Sequence, residues 1–450
     1  MMKQLKHNLY FKVAIIIALA LLLLIPSAMI QQMVSERQRN QEFAVNDVSS
    51  KWAQAQTISG LYITIPYRRY EKRNVNNRDR IVEVKDFIYL LPENLEIKSQ
   101  IEPTKKHRGI YEVVVYDADL SIEGDFAPFD LSTLDIAEED LMLDGAMLNL
   151  GISDLKGIDK KVKVQWNDET LEFESGLDSR QISNAGISIP VQLDTSKLQA
   201  ASFKTELDLK GSQQLYFIPL GKSTHVEMDG IWDSPRFNGE YIPDNWEAKE
   251  NGFMAEWDIL NLNRNYPQVW QGSEYHVHSS AFGTDFFIPV DRYHKTYRVA
   301  KYALLFICIT FLIFFFVEVL QKVHIHPMQY LLVGLALVIF YTLLLSISEH
   351  LTFNYAYVLS MILTIGLILF YVRAILKLWP ITLLTGGLLG IMYTFIFTII
   401  QMEDYALLIG SLGAFVILAI VMFASRKIDW YNIKGQQPEE IPLDIPETDR

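Results

Sequence analysis

Residues 302–320 read YALLFICITFLIFFFVEVL and residues 328–347 read MQYLLVGLALVIFYTLLLSI, two successive apolar runs whose only formal charge is Glu318. In lipid every backbone amide must be paired within the chain, and a helix needs about 20 apolar residues to cross the hydrocarbon. Both runs are therefore expected as membrane-crossing helices. Working outward, the same composition returns at Phe353–Val372, Leu378–Ile400 and Tyr405–Ala424, and near the other end at Val13–Ile30. The apolar–polar alternation of a membrane barrel is absent from these runs. The 450-residue chain is 50% hydrophobic and 21% charged, and its mean hydropathy of +0.13 averages these runs with a long polar stretch. A wholly soluble protein is excluded. The expected fold is a polytopic α-helical membrane protein with six transmembrane helices and a large β-rich extracytoplasmic domain, sandwich-like or α+β, between helices one and two.

Orientation follows from the cations, because Lys and Arg beside membrane helices stay on the cytoplasmic side. Lys3, Lys6 and Lys12 precede the first span, Lys322 lies between spans two and three, Arg373 and Lys377 between four and five, and Arg426 and Lys427 after six. The opposite short loops, Ser348–Thr352 and Gln401–Asp404, hold no Lys or Arg. This predicts a cytoplasmic N-terminus (1–12), helix one (13–30), an exported domain (31–301), a five-helix bundle (302–424: 302–320, 328–347, 353–372, 378–400, 405–424) and a cytoplasmic tail (425–450). Arg298 and Lys301 sit on the outer edge of helix two, but a long translocated domain is weakly governed by the charge rule. A cleaved signal peptide is the alternative for the first run, with Ser27 and Ala28 near its end, but the run exceeds a usual apolar core and lacks a clear small-x-small site.

Between residues 55 and 300 the period is two, with β-branched and aromatic runs bounded by Gly, Pro, Asn and Asp. Expected strands are Leu61–Pro66, Asp86–Leu91, Ile110–Ser121, Lys161–Gln165, Gly186–Leu193, Ser202–Leu209, Gln214–Pro219, His225–Gly230 and Phe253–Ile259. Turns are expected at Gly124-Asp125, Asn167-Asp168, Gly211-Ser212 and Asn251-Gly252. Pro128–Met142 reads as a possible short helix, residues 31–54 as an outward continuation of helix one, and Gly435–Arg450 as disordered. Residues 31–300 hold 29 Lys and Arg against 43 Asp and Glu. That balance repels a phosphate backbone, so nucleic acid is not an expected partner. Cys308 is the only cysteine and lies in an apolar run, which excludes an intrachain disulfide.

Motifs with a chemical reading each have a plainer one. Gly221-Lys222-Ser223-Thr224 resembles the end of a phosphate-binding loop, but position 216 is Tyr where that loop needs Gly, so a strand turn is expected. His324 and His326 flank a cytoplasmic turn without a completing ligand cluster, and His276, His278 and His294 are scattered; no metal is expected. Glu318 is the one carboxylate inside a span, four residues before Lys322, which suits an i,i+4 ion pair at the interface. Gly386, Gly387 and Gly390, with Gly410, Gly413 and Ala414, suit close helix packing. Trp232, Trp246, Trp257 and Trp270, with Tyr241 and Tyr266, read as core and inter-sheet packing, with a glycan- or peptide-binding face as the alternative.

Several stretches resemble the CreD inner-membrane protein family. They are Pro289–Tyr293, Lys301–Phe306, Phe316–Glu318, His326–Ala336, Ser348–His350, Gly386–Gly390, Gln401–Leu408, Gly410–Leu412 and Asp429–Tyr431, with Ile65–Tyr67, Trp232–Phe237 and Gly252–Trp257 in the exported part. The resemblance implies a protein of the bacterial inner membrane, tied to cell-envelope integrity and to the response to β-lactams and envelope-directed toxins, in some bacteria under a two-component system. It implies no established enzymatic activity, and no catalytic residue, cofactor or metal is expected.

The expected function is thus a non-enzymatic envelope protein whose partners are membrane lipid and an envelope protein, glycan or lipid. The strained point is that five packed helices exceed what anchoring requires. A transporter or lipid-handling component using the bundle is the first alternative. A periplasm-facing enzyme with carboxylates such as Asp233, Glu256 or Asp285 brought together by folding is the second.

Overall fold

The computed structural model describes residues 9–75, 78–193, 197–286, 291–321, 323, 325–402 and 405–426. The chain divides into two compact units, one helical (Met1–Asn40 with Val290–Arg450) and one β-rich (Gln41–Pro289).

The helices are α1 (Leu9–Leu22), α2 (Leu24–Trp52), α3 (Asp291–Lys301), α4 (Ala303–Gln321), α5 (Pro327–Ser348), α6 (Phe353–Leu376), α7 (Trp379–Gln401) and α8 (Ala406–Ser425). Five are long and apolar enough to cross a membrane when α1 and α2 are taken as one rod, and up to six if α3 and α4, bent by 45° at Tyr302, form one span. The first helix runs past the expected Ile30 through Trp52, so residues 31–52 continue it as a rod of mixed polarity. α5 is the hub and packs against α1, α3, α4 and α6, while α7 packs on α6 and α4. α8 packs chiefly on α7 and is almost wholly uncovered. Local chemistry sets the boundaries. His326 caps α5, its Nδ1 accepting from the Met328 amide (3.2 Å) and its amide donating to Gln329 Oε1 (2.9 Å), with Pro327 at the first helical position. Lys377, left-handed at φ 54°, ends α6 four residues beyond the expected boundary.

The β unit contains β1 (Gln56–Val75), β2 (Arg78–Leu90), β3 (Asn94–Arg108), β4 (Tyr111–Phe126), β5 (Phe129–Asp130), β6 (Met147–Ile152), β7 (Lys163–Trp166), β8 (Glu169–Glu172), β9 (Glu174–Ser175), β10 (Gly186–Pro190), β11 (Lys197–Leu198), β12 (Ala201–Ser212), β13 (Gln214–Ile218), β14 (Ser223–Gly230), β15 (Pro235–Gly239), β16 (Asn245–Lys249), β17 (Gly252–Leu260), β18 (Val269–Gln271) and β19 (Phe282–Phe286). They build a nine-stranded sheet, β15-β19-β13-β1-β6-β10-β9 with β2 and β18 joined beside β1, and an eight-stranded sheet, β16-β17-β14-β3-β4-β12-β7-β8. One hydrophobic core joins the two sheets, so the sandwich expectation fits better than α+β. In the eight-stranded sheet alternate residues are buried, which leaves its outer face polar. β6, and β1 as far as Tyr67, are buried on both faces, because the segments around Gly145 and Ser183 close over Pro66 and Gly151.

Three local expectations are corrected. Pro128–Met142 forms no α-helix; β5 and the 3-10 turns Leu131–Thr133 and Glu138–Asp140 occupy it, and Asp130 accepts from the Ser132 amide (3.0 Å) as the cap of the first turn. Gly124-Asp125 lies within the last, turnless stretch of β4, where glycine leaves room for the Asn94 carbonyl and the Phe203 ring. Gly211-Ser212 ends β12, and the chain changes sheet at Gln213, left-handed at φ 65°. Asn167, with φ 49°, does make the expected turn, between β7 and β8.

Candidate functional site

Two consecutive rungs of the eight-stranded sheet's outer face form a polar groove. The first rung sets Ser223, Asn94, Asp125 and Ser202 side by side on β14, β3, β4 and β12. Two residues along, the second sets His225, Glu96, Glu123, Lys204 and Gln165 in the same order, ending on β7. Residues two apart share a face and neighbouring strands lie about 4.8 Å apart, so the rungs cross five strands over roughly 19 Å. Asn167 closes one end, its Oδ1 accepting from the Ser202 amide at 2.9 Å. These residues line a cavity of about 620 Å³.

The groove's charges are held in place by their neighbours. Lys204 donates to Glu123 at 3.0 Å, Asn94 to Asp125 at 2.9 Å, and His225 Nδ1 lies 2.8 Å from Asp258. The hydrogen bond and charge of Lys98, at 2.6 Å, hold the Glu96 carboxyl below its ordinary range. Among the described residues Phe203 is the one Phe, Tyr or Trp that lines the groove, and it is buried. The arrangement offers many directional donors and acceptors with a net negative charge, which suits recognition of a hydroxyl- and amide-rich surface. The alternation that makes β3, β4 and β12 strands is visible in the sequence; the register that aligns their polar residues is not.

The sequence's other candidates are dispersed. Glu256 lies on β17 of one sheet and Asp285 on β19 of the other, where it accepts from Tyr216 (2.9 Å) and Asn238 (3.2 Å); Asp233 is exposed after β14. Among the described residues no three His, Cys, Asp or Glu are grouped to hold a metal ion. His324 lies outside the described residues, and His326 acts as a helix cap. The Gly221–Thr224 segment is a turn entering β14. Trp257, Trp270 and Tyr266 are core residues, Trp232 and Tyr241 half-buried, and Trp246 is 56% exposed on the edge strand β16.

In the helical unit Glu318 is buried and has a partner that spacing does not show: it pairs with Lys12 of α1. Its other contacts are the Tyr330 hydroxyl (3.0 Å) and the Ile325 amide (3.2 Å). Lys322, the expected partner, lies outside the described residues. Of the small residues expected at helix contacts, Gly386 meets Leu369 of α6 and Gly413 meets Phe395 of α7, whereas Gly387, Gly390 and Gly410 face open space. A further close helix contact is one the sequence reading missed, Gly334 of α5 against Leu23. Phe306, Phe340, Tyr341, Tyr357 and Tyr393 form a ring cluster where α4, α5, α6 and α7 meet, and Tyr357 donates to the Tyr393 carbonyl at 2.8 Å. The hydroxyls of Thr310, Tyr341, Ser360, Thr364 and Tyr393 are buried without a hydrogen-bond partner among the described residues.

The family model of "Inner membrane protein CreD" matches residues 8–431. The chain belongs to the CreD family of inner membrane proteins. Inner membrane protein CreD of Escherichia coli strain K12 is 32% identical over 434 residues, covering 95% of each chain. The apolar helices are those of an inner-membrane family, and the large β-rich unit lies within the matched residues. Among solved structures, a zinc metallopeptidase of Deinococcus radiodurans aligns with a TM-score of 0.18 and 8% identity over 38% of this chain and 39% of that one, too little to carry a fold argument.

Proposed function

We propose that this inner-membrane protein supports cell-envelope integrity in the response to β-lactam or toxin stress, with both termini cytoplasmic and the β unit on the periplasmic side, contacting an envelope component. The flanking cations Lys12, Arg373, Lys377 and Arg426, against cation-free loops at the other helix ends, support that sidedness. The observation that carries the contact is the two-rung groove from His225 to Gln165, whose closely spaced donors and acceptors suit a glycan strand. The test places a photo-crosslinking residue at Gln165 or Ser202 of the full chain in living cells, with and without a β-lactam. Glycan attached at these positions, and lost with Glu123→Gln, supports the reading. No adduct there, or activity of a reporter fused at residue 150 only inside the cell, overturns it.

A transporter or lipid-handling role for the helices is the second reading, favoured by the five unpartnered buried hydroxyls, since substrate sites in membrane bundles are built from polar groups facing the interior. Loss of β-lactam tolerance in a Tyr341→Phe/Tyr393→Phe variant at unchanged abundance supports it; retained tolerance rejects it.

A further inference from the structure

The groove is a trough that runs across the strands of the eight-stranded sheet. On four of them an outward residue, an inward one and a second outward one follow in turn: Ser223-Thr224-His225 on β14, Asn94-Leu95-Glu96 on β3, Glu123-Gly124-Asp125 on β4 and Ser202-Phe203-Lys204 on β12. The outward residues make two walls roughly 6.6 Å apart, since residues two apart on a strand share a face. Thr224, Leu95 and Phe203 are buried, so backbone makes the floor, with Gly124 near its middle. β7 adds Gln165 to one wall, and Asn167, just beyond that strand, adds to the other.

Each strand therefore offers one polar side chain on either wall, and the pair recurs about every 4.8 Å, the spacing of neighbouring strands. A ligand with that same repeat meets equivalent partners at every step. An extended peptide advances by only about 3.3 Å per residue and falls out of step with the walls. A pyranose chain joined by equatorial β-1,4 linkages advances by close to one strand spacing per sugar. It also turns successive sugars over, so hydroxyls and ring substituents are presented alternately to the two sides. Both walls carry the hydroxyl, amide and carboxylate groups that such edges need as partners.

Charge narrows the choice. The lining holds three carboxylates, Glu96, Glu123 and Asp125, against one ammonium, Lys204. A chain bearing phosphates or carboxylates is repelled there, and an uncharged one is not. We propose that the trough holds an uncharged β-1,4-linked glycan across the strands, one sugar per strand from β14 to β7. This rests on the glycan reading of the groove and adds the linkage, the charge and the length that the groove accepts.

The test titrates the full chain, in phosphatidylcholine nanodiscs, with β-1,4-linked N-acetylglucosamine oligomers of two to six sugars and follows binding by saturation-transfer NMR. Affinity rises about fivefold with each sugar that gains a hydrogen bond. It levels off at five sugars, and a sixth adds nothing. Oligomers of α-1,4-linked glucose, which coil, and of β-1,4-linked mannuronate, which carry a carboxylate on every sugar, do not bind. Gln165→Ala shortens the trough by one strand, so the five-sugar chain weakens about fivefold, to the level of the four-sugar chain. Lys163→Ala, on the same strand but outside the cavity, leaves the length dependence as it was. Equal affinity for two and five sugars, equal binding of either control series, or five-sugar binding undiminished in Gln165→Ala overturns this arrangement while the glycan reading stands. No binding in any series overturns both.

Discussion

Lys12, in the first helix, is ion-paired with Glu318, near the end of α4 and 306 residues away in sequence, and the same carboxylate receives the Tyr330 hydroxyl and the Ile325 amide. One buried acid thus ties α1, α4 and the start of α5 together. Removing one partner of a buried pair leaves an uncompensated charge at a cost of about 3–5 kcal/mol, whereas removing both is far milder. Lys12→Met is therefore expected to lower the thermal stability of the reconstituted protein strongly, and Lys12→Met/Glu318→Leu much less. A Lys12→Met protein as stable as the parent removes the ion pair from the account of how the first helix docks.

The same helix docks a second time at Leu23, the residue between α1 and α2, whose Cδ1 occupies the space that a Cβ on Gly334 would need. Gly334→Val therefore forces Leu23 out of its notch, an overpacking expected to cost about 1–3 kcal/mol. Leu23→Ala in the same chain restores most of the loss by making room. Crosslinking between cysteines placed on α1 and α5, in a Cys308→Ser background, reports the docking directly. Equal crosslinking in Gly334→Val and parent contradicts the prediction.

These two contacts mark what was legible in the sequence. The apolar runs from Tyr302 onward showed helices because length and composition alone decide what lipid accepts. The partner of Glu318 did not show, because i,i+4 spacing points along one helix and Lys12 arrives from another. The alternation at Ser202–Leu209 and His225–Gly230 showed strands. It did not show that Ser223, Asn94, Asp125 and Ser202 fall on one rung, because register between strands far apart in sequence is set by the whole core. β3 went unread: its far end, Lys105 to Arg108, is basic and exposed, and Pro103, which the strand accommodates in register, reads in the sequence as a strand breaker. Glycines misled in both directions. Gly124 looked like a turn and gives room to the Asn94 carbonyl and the Phe203 ring, while Gly387 and Gly390 looked like helix contacts and face open space among the described residues.

The tryptophans divide by position, and their substitution should follow. Trp257 is fully buried, its indole N–H donating to the Tyr241 carbonyl at 3.3 Å and its ring packed on Phe282 and Phe237 at 5.6 and 5.8 Å. Trp246, on the outermost strand, is more than half exposed. Trp257→Ala is expected to destabilise the β unit by about 3–5 kcal/mol. Trp246→Ala is expected to cost less than about 1 kcal/mol. Denaturant unfolding of the reconstituted chain, followed by tryptophan emission, separates the two; similar midpoints for both variants contradict the burial difference.

Alkaline pH should loosen the β unit through its buried phenols. Tyr266 is buried, donates to the Pro219 carbonyl at 3.0 Å and shares a hydrogen bond with Ser280 at 2.9 Å; burial pushes its hydroxyl from the ordinary 10.0 up to about 12. The nearby Arg264 guanidinium, 4.2 Å from the ring centroid, pulls the other way but does not win. Above pH 10 the unfolded chain gives up this proton while the folded chain keeps it. The associated stability is therefore complete below pH 10 and disappears as pH rises through about 12. Two units correspond to about 2–3 kcal/mol as an upper bound. Tyr62 and Tyr116, raised in the same direction by burial, add to the slope. Tyr266→Phe loses two hydrogen bonds and starts less stable at neutral pH, yet falls less steeply across the alkaline window. Denaturant midpoints measured from pH 9 upward check this, and parallel curves for Tyr266→Phe and parent show that Tyr266 is not the linked group.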